Sequence, residues 1–304
     1  MSIGNIILFP GQGSQYLGMS QSLVSRLPAA QLLFDKAREV LGYDLLEVCA
    51  SGPIERLNAT DVSQPAIFVS SLAALEDLRN SQPDVLQNLS GTAGLSLGEY
   101  TALVFAGVLG FEEGLELVKV RGEAMQSAAE ATPSTMASIL LLDREKLQTI
   151  CHDIESKYGH VGIANYLCPG NLVVSGLVEA VCAVEQAAHS AGAKTIRLSV
   201  AGAFHTNIMR PAVDRLVLKM KSMKFKPATL QIWSNVTGKP HDADPDSLTS
   251  LLARQVVEPV RWEECMEGIL ATGEKRFFEV GPGKVLTGLL KRIQRKAECF
   301  SIPA

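Results

Sequence analysis

The segment Gly94-Leu-Ser96-Leu-Gly98 holds the residue types a nucleophilic serine needs. Small residues two before and two after the serine permit a strained strand-to-helix turn that pushes the hydroxyl out at the head of a helix. The positive end of that helix favours negative charge, and the Leu97 amide can donate to a developing oxyanion. A glycine-rich turn with no chemical role has the same spelling, so the serine acquires meaning only from its partners. A hydroxyl nucleophile works with a base, and the chain has five histidines. His152, His160 and His189 fall within or at the ends of polar helices, where solvation is the simplest expectation. His241 lies in the loop Lys239-Pro-His-Asp-Ala-Asp244. His205 differs: it follows a strand in Ala201-Gly-Ala-Phe-His205-Thr, where small neighbours let a backbone approach closely.

Between Ser96 and His205 the carboxylates lie almost entirely on amphipathic helices, and none stands at a strand end where a triad acid would sit. The Ser, then acid, then His order of a hydrolase is therefore not evident, and a Ser–His dyad fits better. Arg121 has Leu117, Val118, Ala124 and Met125 at helical spacing around it, so its guanidinium shares an apolar face. Such an arginine either snorkels, joins an internal salt bridge, or grips a substrate carboxylate through its two-pronged fork. Gly11-Gln12-Gly13-Ser14-Gln15 is not a phosphate cradle, because Gly18 is followed by Met19 rather than a P-loop lysine and no G-x-G-x-x-G is present. It reads as a tight turn whose Gln12 amide could complete an oxyanion hole with Leu97.

The elements that must hold these residues alternate strand and helix. Ile6–Phe9 is a short apolar strand feeding the first loop, a helix surrounds Ile67–Leu78, and Gly91–Gly94 leads into the Ser96 turn and a helix running to about Gly107. From 136 to 200 the pattern changes. Met136–Leu142 reads as a strand, Asp143–Glu155 as a helix with Asp143 as N-cap, and Val161–Leu167 and Asn171–Gly176 as strands. Leu177–Gly192 follows as a helix and Lys194–Val200 as a closing strand. This β-α-β-β-α-β order predicts a ferredoxin-like subdomain, residues 133–201, inserted in a larger α/β domain of residues 1–132 and 202–304. The larger domain resumes with helices near Met209–Lys224 and Ser247–Val256, a strand at Leu230–Ser234, and a last strand at Arg276–Val280.

Composition narrows the functional classes. With 304 residues and 47% apolar content, the chain can bury a large core without disulfides or metal. A net charge of −4 argues against a general nucleic-acid binder. The six cysteines are dispersed without a C-x-x-C pair or a nearby histidine at ligand spacing, which predicts reduced thiols and no zinc site. No apolar run approaches the ~18–20 residues that span a bilayer. The expectation is a cytoplasmic protein, or a plastid or mitochondrial matrix protein whose leader has been removed.

Taken together, Phe9-Pro-Gly-Gln-Gly-Ser-Gln15, Gly94-Leu-Ser-Leu-Gly-Glu99, Arg121-Gly-Glu123 and Ile163-Ala-Asn-Tyr-Leu-Cys-Pro-Gly170 form an ordered set. Ala203-Phe-His205, Ser234-Asn-Val236, Gln255, Pro259-Val-Arg-Trp262 and Glu279-Val-Gly-Pro-Gly283 complete it. Nearly the whole chain, from Phe9 to about Arg292, resembles the malonyl-CoA:acyl carrier protein transacylase family. The resemblance implies an α/β-hydrolase-like core with a ferredoxin-like insert, no bound cofactor, and malonyl-CoA and holo acyl carrier protein as substrates. It implies Ser96 as nucleophile, His205 as base and acid, and Gln255 holding the imidazole through its backbone carbonyl. Arg121 would bind the malonyl carboxylate, Gln12 and Leu97 would supply oxyanion amides, and Asn165 and Phe204 would contact substrate. It also favours a monomer that meets its carrier protein transiently.

Leu95 departs from the histidine that many members carry before the serine and resembles plastid-type and some bacterial members. Phe204 resembles malonyl-preferring sites, where a ring crowds out a 2-methyl group. Two basic clusters, Lys219, Lys221, Lys224, Lys226 and Lys291, Arg292, Arg295, Lys296, are either solvated faces or docking sites for an acidic carrier protein. The rival readings are a serine thioesterase, an acyltransferase serving a polyketide synthase, and an inactive carrier-binding module. The last would be expected to lack Ser96 or His205.

Overall fold

A computed structural model describes residues 4–242 and 244–304. Its strands are β1 (Asn5–Phe9), β2 (Leu89–Gly94), β3 (Ser134–Leu140), β4 (Val161–Cys168), β5 (Asn171–Leu177), β6 (Lys194–Arg197), β7 (Ile232–Trp233), β8 (Val260–Arg261), β9 (Arg276–Val280) and β10 (Glu298–Ile302). They form two five-stranded sheets, and the fold is mixed α/β.

The first sheet has the order β10-β9-β1-β2-β7, with every neighbouring pair parallel. Parallel strands need helical crossovers, which cover both faces and make a central strand apolar throughout. β1 obeys this: Ile6, Ile7, Leu8 and Phe9 are all buried. Their alternation divides them between two cores. Ile7 and Phe9 join the larger one with Phe68 and Leu72 of the Thr60–Ser81 helix, while Ile6 and Leu8 join Trp262, Met266 and Ile269 of the Trp262–Ala271 helix.

The second sheet has the order β6-β3-β5-β4-β8. Its first four strands are antiparallel, and its own core takes Leu147 and Cys151 from the helix Arg144–Tyr158 and Val181 and Val184 from the helix Val178–Ser190. The strand-helix-strand-strand-helix-strand succession matches the expectation. The sheet is not confined to that block, however. β8 adds a fifth strand from far along the chain, pairing Asn165 with Val260 and Tyr166 with Arg261 in parallel.

Boundaries differ from the sequence reading where backbone partners end. The strand expected to reach Val200 stops at Arg197, and the one expected over Leu230–Ser234 is only Ile232–Trp233. Arg276–Val280 is not the last strand, since β10 pairs with it along its whole length. Asp143 occupies the N-cap position, but its side chain makes no capping bond. The helix expected around Ile67–Leu78 starts earlier, at Thr60, and contains Pro65 in its second turn, where the ring leaves the Asp61 carbonyl without its usual intrahelical donor.

All six cysteines are free thiols. Among the described residues no helix is long and apolar enough to cross a membrane, and no group of His, Cys, Asp or Glu is arranged to hold a metal. The loops that follow β1, β2, β7 and β9 emerge at the carboxyl end of the parallel sheet, the edge where open α/β sheets gather ligands.

Candidate active site

Ser96 follows β2 and precedes the helix Leu97–Phe105 with φ 52° and ψ −100°, a conformation that a residue with a Cβ rarely adopts. The two glycines of the motif serve this turn by allowing close packing. A Cβ on Gly94 would lie 1.9 Å from the backbone of Gly98, and one on Gly98 would lie 2.1 Å from the Phe9 carbonyl oxygen. Asn235, just beyond β7, clamps the turn from the side. Its Oδ1 accepts from the Ser96 amide at 2.6 Å and its Nδ2 donates to the Gly94 carbonyl at 2.8 Å.

His205 also has a left-handed backbone, φ 61°, in a turn tied by Ala203 N–H to Ser134 Oγ and by Thr206 Oγ1–H to the Ala203 carbonyl. Its Nε2 lies 2.9 Å from Ser96 Oγ, and its Nδ1 lies 2.7 Å from the Gln255 carbonyl oxygen. A carbonyl can only accept, so Nδ1 carries the proton and Nε2 turns its lone pair to the serine. Burial, and then the charge of Arg121, push the imidazole down to about 4, which leaves it neutral at physiological pH.

Arg121 is 1% exposed on the helix Phe111–Ala131. Its Nη1 donates to Gln64 Oε1 at 2.7 Å, and its Nη2 donates to Ser96 Oγ at 3.0 Å and to Gln255 Oε1 at 3.1 Å. The guanidinium carbon stands 4.9 Å from the centre of the Tyr100 ring, a cation–π distance. Every hydrogen-bond partner is neutral, no ion pair reaches it among the described residues, and its Nε is buried without a partner. The snorkelling and internal salt-bridge alternatives therefore do not describe this arginine. Burial lowers its pKa, so an anion entering the site would relieve a desolvated cation. Because arginine only donates, Ser96 Oγ accepts from Arg121 and directs its own hydrogen to His205.

These groups border a cavity of about 240 Å³. Of the residues singled out in the sequence, Gln12, Ser96, Arg121, Asn165, Phe204 and His205 line it, and Leu95 is part of its wall. Leu97 and Gln255 do not. The Leu97 side chain is fully buried, and Gln255 stands behind the cavity against His205 and Arg121. Among the described residues neither the Gln12 nor the Leu97 amide meets an acceptor, and Gln12 Nε2 makes a long 3.5 Å bond to Thr60 Oγ1. The second sheet supplies the opposite wall, with Met136, Ser138, Leu167 and Val173, and Asn165 Oδ1 is buried there without a partner.

Several participants escaped the sequence reading. Gln64 could have been noticed as a polar residue in an apolar helical stretch. Glu99 and Asn235 served only as landmarks, and His241 only as a loop residue, yet the three meet Gln255 in a buried network. Glu99 Oε1 contacts His241 Nε2 at 2.6 Å across 142 positions of sequence, and Glu99 Oε2 accepts from Gln255 Nε2 at 2.6 Å and from the Asn235 amide at 3.1 Å. His152 and His189 are exposed, as expected, whereas His160 is half-buried and bonded to Glu155 at 2.7 Å.

Comparison with known proteins follows the same outline. Residues 6–302 match the family described as acyl transferase domain. The chain is 42% identical over 305 residues to the human malonyl-CoA-acyl carrier protein transacylase, mitochondrial, an alignment covering 96% of this chain and 78% of the relative. The crystal structure of an acyl-carrier-protein-S-malonyltransferase from Bartonella henselae superposes with a TM-score of 0.94 at 33% identity, covering 99% of this chain and 95% of the other. A malonyl-transacylase in complex with a holo type II polyketide acyl carrier protein superposes with a TM-score of 0.92 at 36% identity, covering 99% and 96%.

Proposed function

The chain belongs to the malonyl-CoA:acyl carrier protein transacylase family, and we propose that it moves malonyl from coenzyme A to the phosphopantetheine thiol of an acyl carrier protein through an ester on Ser96. The observation that carries this reading is the buried Arg121 fork, which has only neutral partners and lies 3.0 Å from the Ser96 hydroxyl. Acyl transfer alone needs no such cation. A substrate whose acyl group ends in a carboxylate does.

In the forward half-reaction Ser96 Oγ attacks the thioester carbonyl while its proton passes to His205 Nε2. The new C–O bond places negative charge on the former carbonyl oxygen, where the free amides of Gln12 and Leu97 donate to it. Collapse breaks the C–S bond, and the imidazolium returns its proton to the departing coenzyme A sulfur. The second half-reaction reverses the roles: the carrier thiol gives its proton to His205, its sulfur attacks the malonyl ester, and Ser96 recovers the proton. The Gln255 carbonyl orients the ring through Nδ1 throughout, so no carboxylate is needed as a third member of the Ser–His pair. Asn165 Oδ1 is suited to accept from an amide of the pantetheine arm, and the Phe204 ring limits substitution at C2 of the acyl group.

No cofactor enters these steps. We read the chain as a monomer with a large α/β-hydrolase-like domain, residues 1–132 and 202–304, and a ferredoxin-like subdomain, residues 133–201. The fourth-first-third-second strand order of β3 to β6 supports the second assignment. The malonyl product supplies fatty acid elongation. A second reading, service to a type II polyketide carrier, is favoured by the likeness to the transacylase bound to such a carrier. The compartment is read as the cytoplasm, or as a mitochondrial matrix in keeping with the human relative's name.

Initial rates measured against both malonyl-CoA and holo carrier protein test the proposal. Parallel double-reciprocal lines, absent activity in Ser96→Ala, and a preference between fatty acid and polyketide carriers are the expected results. Intersecting lines, or undiminished transfer by Ser96→Ala, would contradict the ester intermediate.

A further inference from the structure

The Gln255 side-chain amide makes three hydrogen bonds, and they are not interchangeable. Its Oε1 accepts from Arg121 Nη2 at 3.1 Å, and its Nε2 donates to the Ser96 carbonyl at 3.0 Å and to Glu99 Oε2 at 2.6 Å. Arginine can only donate, and an ionised carboxylate can only accept, so one orientation of the amide satisfies both. The flipped orientation would set two donors against each other at Arg121 and two acceptors against each other at Glu99.

Glu99 is itself held on every side. It is 1% exposed in the first turn of the Leu97–Phe105 helix, where the helix end favours a carboxylate. The Asn235 amide and His241 Nε2 fix its two oxygens at 3.1 and 2.6 Å. His241 must carry a hydrogen on Nε2 to donate there, and its Nδ1 is buried without a partner, so the ring acts as a strut for Glu99. Glu99 and Arg121 are thus two buried charges joined through a neutral amide. A carboxylate bonded directly to Arg121 would neutralise the cation that a substrate carboxylate needs. The intervening amide takes one Nη2 hydrogen but leaves the cation without an anion.

We propose that Glu99 is a positioning residue for acyl selectivity: it fixes the Gln255 amide so that its oxygen, and not its NH2, meets Arg121. This rests on the reading of Arg121 as the malonyl-carboxylate clamp. Without Glu99 the Nε2 side of the amide keeps only the 3.0 Å bond to the Ser96 carbonyl, so the partner that sets the Arg121 fork toward Ser96 is held less firmly.

The test reads the ratio of malonyl to acetyl adduct formed on Ser96, by intact mass under matched thioester concentrations, beside a thermal melt. Glu99→Ala is expected to lower the ratio about tenfold, the scale of one hydrogen bond to a charged group. Gln255→Met, which keeps the backbone carbonyl for His205, is expected to lower it similarly, and the double variant Glu99→Ala/Gln255→Met no further. Additive losses in the double variant, or a lowered melting temperature with an unchanged ratio, would overturn the proposal. Should Glu99→Ala fail to fold, Glu99→Gln and Glu99→Asp decide it. Glutamine keeps an acceptor at full reach, with His241 switching tautomer to receive its NH2, whereas aspartate keeps the charge but falls short of Gln255. Selectivity retained in Glu99→Gln and lost in Glu99→Asp supports positioning, and the reverse pattern refutes it. Arg121→Ala run alongside separates the two levels: if it leaves the ratio intact, the clamp itself is wrong, whatever the Glu99 variants do.

Discussion

Gln255 stands between two histidines whose surroundings differ in the charge of the acceptor that holds each ring and in what the other ring nitrogen faces. On one side His205 gives its Nδ1 proton to the neutral Gln255 carbonyl and keeps a lone pair toward Ser96. On the other, His241 gives its Nε2 proton to the Glu99 carboxylate and has no second partner. A neutral carbonyl orients a ring and does not add charge to it, while Arg121 nearby discourages its protonation, so His205 stays an unprotonated base. A carboxylate anchors a ring to one spot. The comparison teaches that burial alone does not make a histidine catalytic; what matters is whether its free nitrogen faces a group that can give up a proton.

Arg121→Ala is expected to lower malonyl transfer by about 10⁴-fold while acetyl or longer acyl transfer holds or rises, because a site built around a polar partner rejects what lacks it. Equal losses on both substrates, measured as kcat/KM for each thioester, would show that the arginine only supports the fold. His205→Ala should reduce the rate of Ser96 acylation by about 10²- to 10⁴-fold, the range of a lost general base, as followed by single-turnover quench.

The same histidine should appear in the pH dependence of folding. Its folded pKa of about 4 lies below its ordinary 6.5, so between those values the unfolded chain takes up a proton that the folded one does not. Its contribution is therefore intact above pH 6.5 and is lost as pH falls toward 4, by about 3 kcal/mol in all. Denaturant unfolding across that window should be flatter in His205→Ala than in the wild type. At His241 the effect should lie in stability more than in rate. His241→Leu, which leaves a buried carboxylate oxygen without its donor, should cost about 1–3 kcal/mol, with His241→Asn recovering part of it in thermal melts. The smallest effect is expected at the surface. Reversing Lys291, Arg295 and Lys296 should raise the KM for carrier protein severalfold at low salt and little at high salt. Lys219 in the other cluster is bonded to Glu116, and Arg292 donates to the Pro169 carbonyl, so those two are expected to contribute less.

Ser96, His205 and Arg121 were legible in the sequence because each stands in a local context at odds with its type. A serine lies between two glycines at a strand end, a histidine lies among small residues after a strand, and an arginine lies on an apolar helical face. Asn235, Glu99 and His241 gave no such signal, since their meeting depends on β7 lying beside β2, a tertiary fact. The β-α-β-β-α-β succession was readable from periodicity, but β8, two residues long, is shorter than any period and entered unseen. The closing strand was overextended because Leu198 and Val200, apolar and strand-like in the sequence, line the cavity beyond the end of the strand, with only the Leu198 amide still bonded to Met136 of β3. Gly94 and Gly98 were expected to let the turn form, and they do so by packing closely, while the left-handed conformation belongs to the serine itself.

Intact mass of the protein after brief exposure to malonyl-CoA, with acetyl-CoA and Ser96→Ala in parallel, tests the central claim most directly. The account predicts a malonyl adduct on the wild type, little acetyl adduct, no adduct on the variant, and discharge of the malonyl group onto added holo carrier protein. Release of free malonate without transfer, or an adduct that persists in Ser96→Ala, would contradict it.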